Sequence, residues 1–139
     1  MDLSNINFLA VLVSALASFA IGALWYSPVL FGKAWQKELG FTDEDLQGSN
    51  MAMIFGTTLV MILIMAFGMG MLLHGHYPKE LITAKVGIFH GLYIGLAFVA
   101  TSTAINYLYQ RKSIKLWAID SFYQITYLVL QGAILGIWK

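Results

Sequence analysis

The sequence predicts an all-α membrane protein. Four transmembrane helices, with a short amphipathic interfacial helix between the first and second, form one integral membrane domain over 1–139. Three observations predict it. The chain is 59% hydrophobic and 11% charged, against roughly 45–50% and about 25% in an average soluble domain. A chain of 139 residues cannot hide that much apolar surface from water, so lipid is its solvent. Four apolar segments, at about 6–26, 51–73, 86–108 and 116–138, are each close to the ~20 residues that cross ~30 Å of hydrocarbon as a helix. Finally, residues 22–35, Gly-Ala-Leu-Trp-Tyr-Ser-Pro-Val-Leu-Phe-Gly-Lys-Ala-Trp, crowd aromatics, a proline and a lysine at one segment boundary, a mixture that suits the edge of a bilayer.

The same composition excludes several classes. Isolated strands would leave backbone groups unpaired in lipid, and the alternation of a barrel strand is absent. A net charge of +1 argues against nucleic acid, whose phosphates need clustered Lys and Arg. Without cysteine there are no disulfides, thiolate nucleophiles, zinc–thiolate sites or iron–sulfur clusters.

Taken in order, the start of the chain (residues 1–7) carries no Lys or Arg, which predicts a retained first span rather than a cleaved signal peptide. On that span Ala10, Ser14, Ser18 and Gly22 recur every four residues and make a flat face for another backbone. Pro28 ends it. At about 29–39, Phe31, Ala34, Trp35 and Leu39 recur at helical spacing between Lys33, Gln36, Lys37 and Glu38, the pattern of a helix lying on the membrane surface. Gly40 ends that helix, and Thr42 before Asp43, Glu44 and Asp45 reads as an N-cap with an acidic first turn.

The second span carries a Met61, Met65, Met69 stripe, read as adaptable packing rather than as a soft-metal site. Residues 74–84, with His74, Gly75, His76 and Pro78, are expected to form a short turn. Gly87, Gly91 and Gly95 repeat the small-residue pattern on the third span, and Gly132 and Gly136 on the fourth. Between those two lies a basic turn at 109–115 with Arg111, Lys112 and Lys115. Four spans put both termini on one side and the links 27–50 and 109–115 on the other. The links hold Lys33, Lys37, Arg111, Lys112 and Lys115 against Lys79, Lys85 and Lys139 on the terminal side, so the links are expected in the cytoplasm and both termini outside.

Ionisable residues inside a span are costly and mark function by default. Here they are His90 and Asp120. Each lies about one turn into its helix from opposite faces, so they should sit about 20 Å apart in depth and not pair. Asp120, Gln124, Tyr127 and Gln131 make one polar stripe along the fourth helix. On the link side, Trp25, Tyr26, Lys33, Trp35, Asn106, Asp120 and Gln124 converge at one depth and form the expected ligand-binding set. The plainer alternatives are an ion pair from Asp120 to Lys115, Arg111 or Lys33, a carbonyl hydrogen bond for His90, and the glutamines as interhelical glue. No phosphate loop, nucleophile elbow or zinc-protease helix is present, Ser27 has no nearby base, and the His74–His76 pair lacks a third ligand. No catalytic residue, metal or cofactor is expected.

The run Gly-Ala-Leu-Trp-Tyr-Ser-Pro-Val-Leu-Phe-Gly-Lys-Ala-Trp-Gln-Lys-Glu-Leu-Gly resembles the opening of a family of small bacterial inner-membrane proteins, domain of unknown function 1761. Gly22, Trp25, Tyr26, Ser27, Pro28, Phe31, Gly32, Trp35 and Glu38 carry the resemblance, which extends to the ending Gln-Gly-Ala-Ile-Leu-Gly-Ile-Trp at 131–138. It implies a four-span inner-membrane protein and transfers no activity. The expected function is a non-enzymatic, self-associating bundle, a homo-oligomer in the lipid bilayer, that binds or conducts a small-molecule or lipid ligand at the link-side face. The alternatives are a scaffold or partner subunit that uses the glycine faces, and, with less support, an enzyme acting on lipid or quinone.

Overall fold

A computed structural model describes residues 5–139. Met1–Ser4, part of the start without Lys or Arg that predicts a retained first span, lie outside them. The described residues form seven α-helices: α1 (Phe8–Trp25), α2 (Gly32–Leu39), α3 (Asp43–Gln47), α4 (Met51–His76), α5 (Ala84–Ile94), α6 (Thr101–Tyr109) and α7 (Ile114–Ile137). A π-helical turn, Gly95–Ala100, joins α5 and α6 into one continuous rod. Three helical rods, Phe8–Trp25, Met51–His76 and Ala84–Tyr109, are long and apolar enough to cross a membrane.

Local chemistry sets the ends of these elements. Asn7, Asn50, Thr83 and Ser113 each cap a helix, their side chains accepting the N–H three residues on. α1 stops before Ser27-Pro28, because a residue ahead of proline disfavours the helical region. The chain then turns sharply, with Phe31 N–H donating to Trp25 O at 3.0 Å and Gly32 N–H to Ser27 O at 3.0 Å. A side chain at Gly32 would strike the Tyr26 and Ser27 carbonyls, which is why the turn needs glycine. The helix expected from about 29 therefore starts at Gly32, since the turn consumes the residues before it. α2 ends with Gly40 at φ +70°, the left-handed conformation that glycine adopts freely.

α3 opens with a reciprocal capping box between Thr42 and Asp45. The Thr42 backbone N–H and hydroxyl both donate to the Asp45 carboxylate, at 2.7 and 2.8 Å, and hold its pKa below the usual carboxylate range. A carboxyl whose folded pKa is depressed contributes above its unfolded value and loses that contribution as pH falls through the folded one. Amide exchange at Thr42 should therefore be slowed at neutral pH and lose that protection in acid, below the ~3.9 of a free aspartate. Asp45→Asn should lack the acid transition.

The second apolar segment was expected to end at 73, yet α4 runs on to His76, taking His74 and His76 into its last turn. Nothing stops it until Tyr77, which is extended because Pro78 follows. Positive or neutral imidazoles also suit a helix C-terminus.

α7 is the centre of the bundle. α1, α4 and α5 all pack on it, and α1 packs on α4, whereas α4 and α5 barely meet. The core joins Ala10, Val11 and Ala15 of α1 to Ala66, Met69 and Leu73 of α4 and to Leu128 and Leu135 of α7. α4 buries residues only from Ile62 onward, and its link-side half is largely exposed, meeting α1 through the edge-on contact of Phe55 with Phe19. α7 is the least apolar long helix, with Asp120 and Gln131 both buried, and the other rods surround it. Its polar side chains reach other protein groups in place of lipid.

Candidate functional site

Asp120 lies on the second turn of α7 and is 9% exposed. Each carboxylate oxygen accepts one phenol: Tyr26 Oη donates to Oδ1 at 2.7 Å and Tyr107 Oη to Oδ2 at 2.6 Å. The Tyr26 ring stands edge-on to Trp35 and to Tyr123, with centroids 5.5 and 5.2 Å apart. One residue back, Trp25 Nε1 donates to the carbonyl of Ile119 at 3.0 Å and its ring lies 4.7 Å from Phe31. Trp117 Nε1 reaches the carbonyl of Ala100, at the end of the π turn, at 2.9 Å. The end of α1, the start of α2, the end of α6 and the first turns of α7 are thus tied together around one carboxylate.

Among the described residues no cation takes part. Lys115 lies 3.9 Å from Glu38, which also accepts a hydrogen bond from Ser113 Oγ. Lys112 Nζ sits 4.6 Å above the Tyr107 ring, and Lys33 is exposed. The ion pairs to Lys115, Arg111 or Lys33 weighed as the plain reading of Asp120 are replaced by two neutral donors. Neutral donors pay no desolvation cost of their own charge, so they suit this depth better than a buried ammonium.

Of the link-side set, the structure brings Trp25, Tyr26, Trp35 and Asp120 together. It does not bring in Lys33 or Asn106, both exposed, and Gln124 is half-buried one turn beyond Asp120 without joining the hydrogen bonds to it. The residue that takes the place of Asn106 is Tyr107. The π turn is the cause. Gly87, Gly91 and Gly95 face α7, and an unbroken α-helix would bring position 106 onto that face about three turns later. A π turn inserts one extra residue, which moves the register on by one and delivers Tyr107.

The rest of the α7 stripe also meets protein. Tyr127 Oη donates to the Met65 sulfur at 3.2 Å, and Gln131 Nε2 to the Ile62 carbonyl at 3.5 Å. Gln131 Oε1 and Ser121 Oγ are buried with no hydrogen-bond partner among the described residues. His90 donates from Nδ1 to Val86 O of its own helix at 2.8 Å, so its carbonyl partner lies within α5 and not across a helix contact. Among the described residues no group of three or more His, Asp or Glu could hold a metal ion.

The small-residue faces are filled from within the chain. Side chains at Gly87 and Gly132 would strike each other's carbonyl oxygens, Gly91 faces the Leu128 carbonyl, Gly136 the Thr83 carbonyl, and Gly95 the Ile125 side chain at 3.0 Å. Ser14 and Ser18 are fully buried, their hydroxyls bonded to Val11 O and Ser14 O, and Gly22 accommodates the Tyr123 hydroxyl. A scaffold reading that uses the glycine faces as its outer surface loses that surface, because α5 and α7 close it against one another.

Comparison with protein families matches residues 9–136 to the family described as protein of unknown function (DUF1761). The chain belongs to that family. The match runs from α1 to the last turn of α7, so every residue of the Asp120 cluster lies inside the family region. No curated protein and no solved structure matches the chain. The family supplies no activity to assign to the cluster, and the reading of it rests on its chemistry.

Proposed function

We propose that this member of the family is a non-enzymatic, four-span protein of the bacterial cytoplasmic membrane whose Asp120 cluster binds a small cationic ligand from the link side. One observation carries the reading: a buried carboxylate, at membrane depth, held by two neutral phenols and no cation. An intramembrane carboxylate is costly and marks function by default. Its two oxygens still have lone pairs free, and Tyr26, which donates to one of them, packs on Trp35 and Tyr123, with Trp25 against Tyr123. Aromatic faces beside a carboxylate suit an organic cation, which they attract through the ring quadrupole.

In this reading α7 is the fourth span. Its 24 residues extend ~36 Å, enough for ~30 Å of hydrocarbon, and enclosure by the other rods offsets its lower hydropathy. α2 lies at the interface, with Trp35 turned to the cluster. The lysines of the two links support a cytoplasmic position for that side, with both termini outside. Self-association would use the exposed link-side half of α4.

The test separates charge from shape. Asp120→Asn is nearly isosteric and keeps one acceptor and one donor for the two phenols. A lipophilic cation, tetraphenylphosphonium, should raise the thermal midpoint of the wild-type protein in detergent and leave Asp120→Asn unmoved. Equal shifts in both proteins, or none in either, would overturn the reading.

A further inference from the structure

We propose that the groove between α4 and α5, at the end of the bundle away from Asp120, binds a phenolic amphiphile: a phenol or hydroquinone ring carrying an apolar tail. The groove exists because α4 and α5 each pack on α7 and barely touch each other. It encloses about 390 Å³, within the ~300–1,000 Å³ range of small-molecule sites. Leu72, His76 and Tyr77 line it from α4 and the chain just beyond it, and Phe89, His90 and Tyr93 from α5.

Three features select the ligand. The first is the state of the two imidazoles. His76 Nδ1 lies 2.9 Å from Leu72 O and His90 Nδ1 lies 2.8 Å from Val86 O. A carbonyl oxygen can only accept, so each Nδ1 carries a proton, and the neutral form of each ring has its acceptor at Nε2. In that form the two histidines line the groove with two hydrogen-bond acceptors, which favours a ligand that donates.

The second feature is a continuous ladder of rings. Tyr77 stands edge-on to His90, at 5.5 Å between centroids. Phe89 stacks on Tyr93 at 6.3 Å, and Tyr93 meets Phe98 edge-on at 5.8 Å. Such a wall pairs with an aromatic ring by stacking or edge contact. The third is polarity along the groove. His76 and Tyr77 sit at the end of α4, where polar residues begin, while Phe98 lies eight residues past His90, ~12 Å further along the rod. Phe89, Tyr93 and Phe98 are all more than half exposed, so the groove opens sideways to the lipid. A ring with a hydroxyl at the polar end and a tail along the helix fits all three.

The inference stands apart from the Asp120 reading, because the two sites lie on opposite sides of the membrane. The test uses the full chain, labelled with 15N-histidine, in micelles. 4-Octylphenol is the probe and 4-octylanisole, which has the same body and no donor, is its control. The phenol should shift the Nε2 resonances of His76 and His90 saturably and leave His74 in place. The anisole should bind at least about fivefold more weakly, the loss expected for one hydrogen bond. His90→Phe should abolish the His76 shift. His76→Leu, at an exposed helix end where folding is not at stake, should weaken the His90 shift. Asp120→Asn should change neither. Equal shifts from both probes, shifts at all three histidines alike, no saturable shift, or binding that survives both histidine substitutions would overturn the proposal.

Discussion

Replacing Gly132 with alanine should destabilise the bundle by about 1–3 kcal/mol, and leucine there should prevent α5 and α7 from docking at all. The reason is that the two backbones meet without side chains between them. At Gly87 and Gly132 an added Cβ falls on the partner's carbonyl, which cannot rotate away as a side chain would. One methyl must therefore separate two rods that also touch at Gly91 and Gly136, and those contacts are lost together. The measurement is unfolding of the purified protein in micelles, followed by far-UV circular dichroism and by the fluorescence of its four tryptophans. Gly68→Ala is the internal control, because nothing lies within 4 Å of a Cβ there. There the better helix propensity of alanine is the only change, and stability should hold or rise. Gly87→Ala combined with Gly132→Ala should cost less than the sum, since the first methyl has already opened the contact that the second would clash with. Unchanged stability in Gly132→Ala would show that α5 and α7 do not pack through this face.

The long helices were legible because lipid imposes them. Apolar runs at 51–73 and 86–108 become rods at Met51–His76 and Ala84–Tyr109, and the segment at about 29–39 becomes α2. Depth was legible too: counting residues along the fourth helix sets Asp120 level with Trp25 and Tyr26 and apart from His90, and the hydrogen bonds to Tyr26 follow from that level. Azimuth was not. Periodicity assigns a face only while the period holds, and the π turn at Gly95–Ala100 breaks it with no proline or charge to announce it. Asn106 and Tyr107 exchange places for that reason. The sequence also gives no sign of whether a glycine ridge meets its own chain or another, because both partners look alike to a small-residue face. Gly132 and Gly136 on α7, spaced to match Gly87 on α5, are the one signal that could have paired them. α7 shows the opposite case. Its polar stripe reads from sequence as a helix unwelcome in lipid, and its position at the centre of the bundle is the answer to that reading.

Tyr26→Phe and Tyr107→Phe should each cost about 1.5–3 kcal/mol, the range for a hydrogen bond to a charged group. That exceeds the ~0.6 kcal/mol typical of side-chain bonds between membrane helices, because the acceptor here is a carboxylate with no cation beside it. Together the two substitutions should cost more than their sum. After the first, one phenol still serves the carboxylate; after the second, a buried charge has no donor, which is the expensive state. The discriminating variant adds Asp120→Leu to both. Removing the charge along with its donors leaves an apolar layer of similar shape, so the triple variant should recover most of the stability that the double loses. With stability recovered, the response to tetraphenylphosphonium separates the two roles the cluster can have. If the phenols and the carboxylate only fasten α1, α6 and α7, the triple variant behaves as the wild type in every assay. If the carboxylate is there to receive a cation, the triple variant is as stable as the wild type and no longer responds to tetraphenylphosphonium. A charged clamp that an apolar layer could replace at no loss is held in a membrane for something other than stability.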